Sequence, residues 1–188
     1  KTLNAAVAPL DVADVQSFLG LASYCSRYIK DFATISTPLR ELTKQGRPFE
    51  WTAECEEGFV CIRQAVTSAE HLAYFDALLC TELTVDASPV GLGAILAQHK
   101  PGRESPRQIV TYASRNLTNV EKAYSQPEKE SLAVVWACEY HNMLLYGKPF
   151  TIMTDHQALT FLYGNPKAKI PPRIERWGIR LMDYDFKI

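Results

Sequence analysis

The stretch that most limits what this chain can fold into is Glu82 to Gln98, which reads E-L-T-V-D-A-S-P-V-G-L-G-A-I-L-A-Q. Leu83, Val85 and Ala87 alternate with Glu82, Thr84 and Asp86, the period of a strand with one apolar face. Pro89, Gly91 and Gly93 mark a bend before a second apolar run, Ala94 to Ala97, so the stretch reads as a β-hairpin with an acid, Asp86, at the end of its first strand. The small residues after Asp86 leave its carboxylate unshielded, which suits a metal ion. An Asp in this position also caps turns.

Upstream the period is helical. Val15, Phe18, Leu19, Ala22, Cys25, Ile29 and Phe32 recur mostly at three- and four-residue steps and predict an amphipathic helix from Asp11 onward, capped by Asp11 or Asp14. Pro38 and a short helical pattern over Leu39 to Leu42 precede the turn at Gln45-Gly46-Arg47-Pro48. Another helix is predicted after Thr52, with Glu54 and Glu57 near its N-terminus and Phe59, Ile62 and Val66 as its buried stripe. The carboxylates here are spread over solvent faces and His71 has no partner in sequence. This third reads as a helical packing unit, with Arg27, Lys30 and Lys44 as the bases that a duplex would meet. After a connector from Ser68 to Leu79 the period turns from helical to alternating at about Leu78, which places a boundary between a helical segment, 1–77, and a second domain, 78–188.

In the second domain His99 to Arg107 is a polar turn and Gln108 to Ala113 a third strand, giving an antiparallel meander. Ser125-Gln126-Pro127-Glu128 is a capping box that starts a helix running to about Tyr146, with Glu130 in its first turn. Phe150 to Thr154 alternates as a fourth strand ending in Asp155, and Gln157 to Leu162 reads as a short helix. A helical crossover before strand four lets it lie parallel to strand one. The expected fold is therefore α/β: a mixed sheet of three antiparallel strands and a parallel fourth with flanking helices, preceded by the small helical segment. Asp86 and Asp155 then end at the same edge, and the helix can bring Glu130 over both. Three such carboxylates repel unless a cation lies between them, and hard oxygen ligands suit Mg²⁺ or Mn²⁺, the ions of two-metal displacement at phosphorus. Taken singly, Glu130 also reads as a helix-dipole acid and Asp155 as the N-cap of the next helix.

Composition narrows the setting. The 20 Lys and Arg against 21 Asp and Glu give a formal net charge of -1, so no global field attracts nucleic acid. The five cysteines are odd in number and lack CxxC spacing, which predicts buried thiols in a reducing, intracellular compartment. No apolar run approaches the ~20 residues that span a bilayer, so no membrane contact is expected. The start at Lys1, without Met, predicts a piece of a longer protein.

T-V-D-A-S-P-V-G-L-G-A-I-L-A-Q, Y-A-S-R-N-L-T, A-Y-S-Q-P-E-K-E-S-L-A-V-V-W-A and F-T-I-M-T-D-H-Q-A-L resemble, in order, the ribonuclease H region of Ty3/Gypsy-type retrotransposon reverse transcriptases. V-Q-S-F-L-G-L-A-S-Y-C-S-R-Y-I-K-D-F-A and F-E-W-T-A-E-C-E-E-G-F resemble the thumb and connection of the same proteins. The resemblance implies a ribonuclease H-like fold that hydrolyses the RNA strand of an RNA:DNA hybrid. It makes Asp86 the ligand shared by two Mg²⁺ (or Mn²⁺) ions, with Glu130 and Asp155 as the other acids. Glu128 is the rival for Glu130, which stands nearer the apolar S-L-A-V-V-W run. Arg173, Arg176 and Arg180 share one helical face and would meet phosphates, Trp177 beside them reads as core, and Asn116 and Gln157 would donate to sugar or phosphate.

The implied partners are the hybrid and the rest of the polyprotein, fingers, palm and a C-terminal helix, in the cytoplasm or a virus-like particle. Without the palm, no DNA synthesis is expected. The family's fourth acid would lie beyond Ile188, because Asp183 and Asp185 precede the last strand, so the 188 residues alone are expected to be weak or inactive. The rival class is a host-retained or connection-like module that holds nucleic acid without cleaving it.

Overall fold

The computed structural model describes residues 7–67, 72–102, 106–155 and 171–188. Helix α1, Val12–Tyr24, starts where expected: the Asp11 carboxylate accepts the Asp14 N–H at 2.8 Å. The helix does not continue to Phe32, however. A 3₁₀ turn, Ser26–Tyr28, follows, and Asp31 at φ 54 reverses the chain into α2, Phe32–Ile35. Ser23, Tyr24, Cys25 and Ser26 are all indifferent helix formers, and Asp is one of the few residues that tolerates the left-handed region. The spacing of Ile29 and Phe32 persists because both enter the same core from the other side of the break.

Helix α3, Thr37–Leu42, has Pro38 in its first turn, and α4 covers Ala53–Thr67. Val15, Phe18, Leu39, Phe59 and Ile62 form the centre of this unit, with the Phe18 and Phe59 rings 4.7 Å apart and Trp51 edge-on to Phe59 at 5.9 Å.

The rest of the described chain is built on a five-stranded sheet of order β3-β2-β1-β4-β5. Its strands are β1, Cys80–Ala87; β2, Gly91–His99; β3, Gln108–Asn116; β4, Phe150–Met153; and β5, Phe186–Lys187. The first three form the expected antiparallel meander, and β4 lies parallel to β1, with β5 parallel to β4 beyond it. Helices α5, Asn119–Lys122, α6, Gln126–Tyr140, α7, Asn142–Leu145, and α8, Pro172–Leu181, complete the unit. The long helix stops at Tyr140, with His141 as its C-cap, rather than near Tyr146.

Leu83, Val85 and Ala87 turn toward α6, whose Val134, Val135 and Cys138 close the core, and Trp177 of α8 is buried against the same cluster. The fold is thus the expected mixed α/β sheet with flanking helices, preceded by a helical segment. Buried Gln98 donates to the Asp76 carbonyl and to Thr81 Oγ1 and accepts the Asp76 N–H, so its amide is satisfied inside the sheet edge.

Gly91 and Gly93 belong to strand β2 and not to the bend, which is confined to Ser88 to Val90. Their lack of side chains serves the packing of α2 across the second face of the sheet. A Cβ at Gly91 would stand 3.2 Å from Thr34 Oγ1, and the Ala33 N–H donates to Ser114 Oγ at 2.9 Å, on the strand beside Gly93.

The thiols are all free. Only Cys55 and Cys138 are buried; Cys25 and Cys61 are half-buried, and Cys80 is exposed because it opens β1 on the side away from the core, which corrects the expectation of five buried thiols. Among the described residues, no helix is long and apolar enough to cross a membrane.

Candidate active site

Strand parity sends Glu82, Thr84 and Asp86 to the face opposite α6. The parallel pairing of β1 with β4 runs Glu82–Thr151, Leu83–Ile152 and Thr84–Met153 and then stops. Extended by two residues, the same register sets Asp86 beside Asp155. The sheet is therefore open just where the two carboxylates stand, and Glu130, from the first turns of α6 on the other face, reaches into the opening. One oxygen from each of Asp86, Glu130 and Asp155 lies within 4.8 Å of the others. Asp86 and Asp155 are exposed, whereas Glu130 is buried, at 3%.

Gln126 aims Glu130. Its Nε2 donates both to the Ala87 carbonyl, at 3.0 Å, and to Glu130 Oε1, so one amide ties the start of α6 to the end of β1 next to Asp86. The sequence carried this signal only as a Gln four residues before a Glu on one helical face. Glu128 is occupied elsewhere. It accepts the Ser125 N–H and Oγ–H at 2.9 Å and pairs with Arg173, and the Ser125 backbone bond above all holds its carboxyl below the usual range. Of the two glutamates only Glu130 joins the cluster.

The ion pairs that the described residues form among themselves leave out Asp86 and Asp155. Three hard oxygen donors this close, two facing solvent, fit a divalent cation such as Mg²⁺ or Mn²⁺.

The basic helix face is largely engaged within the protein. Arg173 pairs with Glu128 and lies 4.2 Å over the Tyr124 ring, and Arg180 makes a two-pronged pair with Glu139. Both pairs fasten α8 to α6. Arg176 Nε donates to the Pro172 carbonyl of its own helix. Asn116 closes β3, exposed, at a groove that also receives Arg40, Lys44 and Lys122; the sequence did not single out Arg40 or Lys122, because they come from separate segments. Gln157, the short helix over Gln157 to Leu162, and His71 lie outside the described residues.

Comparison with known proteins gives this arrangement a family. Residues 78–184 match the RNase H-like domain found in reverse transcriptase. The Retrovirus-related Pol polyprotein from transposon 412 of Drosophila melanogaster is 35% identical over 182 residues, 96% of this chain and 14% of that protein. The polyprotein from transposon gypsy of the same species is 35% identical over 190 residues, covering 94% of this chain and 18% of that protein. The Tf2-3 polyprotein of Schizosaccharomyces pombe is 30% identical over 183 residues, 96% of this chain and 14% of its own length. The chain thus spans less than a fifth of these relatives.

Among solved structures, the foamy viral protease-reverse transcriptase dRH in complex with double-stranded DNA superimposes with a TM-score of 0.75 at 22% identity, covering 98% of this chain and 33% of that one. The foamy viral enzyme in complex with an RNA/DNA hybrid gives 0.72 at 23% identity, covering 98% of this chain and 26% of that one. These share the fold. The chain belongs to the family of the RNase H-like domain found in reverse transcriptase, in its gypsy/Ty3-type retrotransposon branch, and matches Pol polyproteins over nearly its whole length.

Proposed function

We propose that residues 78–188 form a ribonuclease H domain that cuts the RNA strand of RNA:DNA hybrids within a reverse transcriptase polyprotein, and that the helical segment, 1–77, is its thumb and connection. The observation that carries this reading is the convergence of Asp86, Glu130 and Asp155 within 4.8 Å at the open end of β1 and β4. These three would hold Mg²⁺ or Mn²⁺. When bound at such a site, two ions lower the pKa of the attacking water and stabilise charge on the attacking and leaving oxygens of the phosphodiester.

The chain's own residues supply the rest. Exposed Asp86 and Asp155 are open to a scissile phosphate arriving from solvent, while buried Glu130, kept in place by Gln126, forms the floor. The product would carry a 3′-hydroxyl. Discrimination for RNA would come from its 2′-hydroxyls and from the shape of the hybrid's minor groove, not from base identity.

For the hybrid's backbone, Asn116, Arg40 and Lys122 of the groove are the better-placed groups, since Arg173 and Arg180, like Lys44 with Glu41 in the groove itself, already have acidic partners. Arg176 and Gln157 remain further candidates. Such a polyprotein would work inside the cell, in the cytoplasm or in a virus-like particle.

The test is cleavage of an end-labelled RNA:DNA hybrid with Mg²⁺ and with Mn²⁺. Asp86→Asn is expected to lower the rate more than about 100-fold, the upper end of what loss of a mere outer-shell partner costs a metal site. Cleavage that survives this substitution would remove Asp86 from the site. Hybrid binding that ignores divalent metal, with no cleavage even when the polyprotein's C-terminal helix is supplied, would identify a holding module instead.

A further inference from the structure

The helical segment does more than pack beside the sheet: it brings an acid, Asp31, near Asp86. Asp31 sits where α2 begins, in the left-handed conformation, φ 54, and its carboxylate lies over Gly93. A Cβ added at Gly93 would stand 2.8 Å from Asp31 Oδ1. Gly93 is the direct cross-strand partner of Asp86 in the β1–β2 pair. Cβ positions of such partners lie about 4.5–5.5 Å apart, so the Asp31 carboxylate is within about 8 Å of the Asp86 side chain and shares its face of the sheet.

Two charges bear on it. Burial above all raises the Asp31 carboxyl above its usual value; exposed Lys30 opposes this, and Asp86, the smallest of the three influences, adds to it. The gap left by Gly93 is what admits the carboxylate, since any larger residue there would meet it.

We propose that Asp31 is an outer positioning residue of the metal site, which strengthens divalent-cation binding by Asp86, Glu130 and Asp155 from beyond their inner shell. The proposal rests on the reading of those three acids as metal ligands. Mg²⁺ and Mn²⁺ retain water when they bind few carboxylates, and a fixed negative charge beyond the three acids would attract such an ion without replacing a ligand. At such a separation in water-like surroundings, one charge acting on a divalent ion corresponds to about a three- to tenfold change in affinity, less at high salt. It also couples the helical segment to the site: the αL residue that starts α2 and the metal would each favour the docked arrangement.

The experiment is Mn²⁺ titration of the whole 188-residue chain, with free ion followed by its paramagnetic resonance signal. Asp31→Asn keeps a side chain suited to the left-handed backbone and removes the charge. It is expected to weaken Mn²⁺ binding about three- to tenfold at low salt, with the difference shrinking in 1 M KCl. Asp31→Gly, which removes the side chain without strain, should do the same and serves if the first variant folds poorly. Gly93→Ala should displace the flexible end of Asp31 and lower the affinity alike, and combining it with Asp31→Asn should add little. Asp86→Asn should abolish binding.

Unchanged affinity in folded Asp31→Asn or Asp31→Gly, alongside loss in Asp86→Asn, overturns the role of Asp31 and leaves the three-acid site standing. Absence of Mn²⁺ binding in the unsubstituted chain overturns both. A deficit that persists undiminished in 1 M KCl assigns Asp31 a purely structural part and overturns the electrostatic one.

Discussion

At the scale of single residues, the most consequential group outside the acids is His141. It caps α6 almost wholly buried, at 3%, and among the described residues neither ring nitrogen has a hydrogen-bond partner. Burial lowers its pKa from 6.5 to about 4. Between those values the unfolded chain takes up a proton that the folded chain refuses, so stability falls as the pH drops from about 6.5 to about 4. The loss amounts to about 2–3 kcal/mol. Glu121 acts lower down. Its bond from Arg115, first among several causes, holds its carboxyl at about 2, so its contribution is present above 4.5 and is lost as the pH falls through about 2. His141→Phe, which keeps a ring in the core, is expected to flatten the upper window and spare the lower one. Urea unfolding at pH 7, 5.5, 4 and 3 measures this, and a variant as pH-sensitive as the parent between 6.5 and 4 would contradict a buried neutral imidazole.

At the scale of elements, sequence and structure agree where a periodic pattern decides the outcome and part where packing does. Asp86, Glu130 and Asp155 were legible because strand parity, a capping box and a parallel crossover each fix a direction without reference to distant residues. The end of α1 was not. Ile29 and Phe32 keep helical spacing across the break, because both still enter one core after Asp31 turns the chain into α2 and toward the sheet. The role of Gly91 and Gly93 was hidden for the same reason, since the residues they accommodate, Thr34 and Asp31, lie some sixty positions away. The ion pairs of Arg173 and Arg180 on α8 were hidden in another way. A stripe of bases looks available until its partners Glu128 and Glu139 appear on a facing helix.

Gly58 is a further glycine of packing. A Cβ there would stand 2.7 Å from the carbonyl oxygen of Ile35, on the helix that docks to the sheet. Ala is the better helix former by about 1 kcal/mol, but overpacking against backbone costs about 1–3 kcal/mol. Gly58→Ala is therefore expected to destabilise the chain by about 1 kcal/mol net, read as a lower urea midpoint at unchanged slope. A raised midpoint would mean that α2 yields freely.

At the scale of the whole molecule, two apolar clusters share one chain, one among the N-terminal helices and one between the sheet and α6. Separate cores often unfold separately, and a boundary near residue 78 would invite it. The contact between them argues otherwise. The 3₁₀ turn and α2 rest on the sheet at β2 and β3, the Ala33 N–H bonds to Ser114, and the glycines of β2 leave room for the Thr34 and Asp31 side chains. Losing the first cluster would strip cover from the sheet face that carries Asp86, so each unit stabilises the other. Single-transition unfolding is the expected consequence, and the three tryptophans report on it. Trp51 sits by the first cluster, Trp177 in the second and Trp136 against the second. In a Trp51→Phe variant fluorescence follows the second unit, and in a Trp136→Phe/Trp177→Phe variant it follows the first. Scaled for each variant's own stability by circular dichroism, the fluorescence and dichroism midpoints in urea should coincide in both. A Trp51 signal lost at clearly lower urea than the sheet's would show that the helical segment undocks first, and that the acids keep their sheet without it.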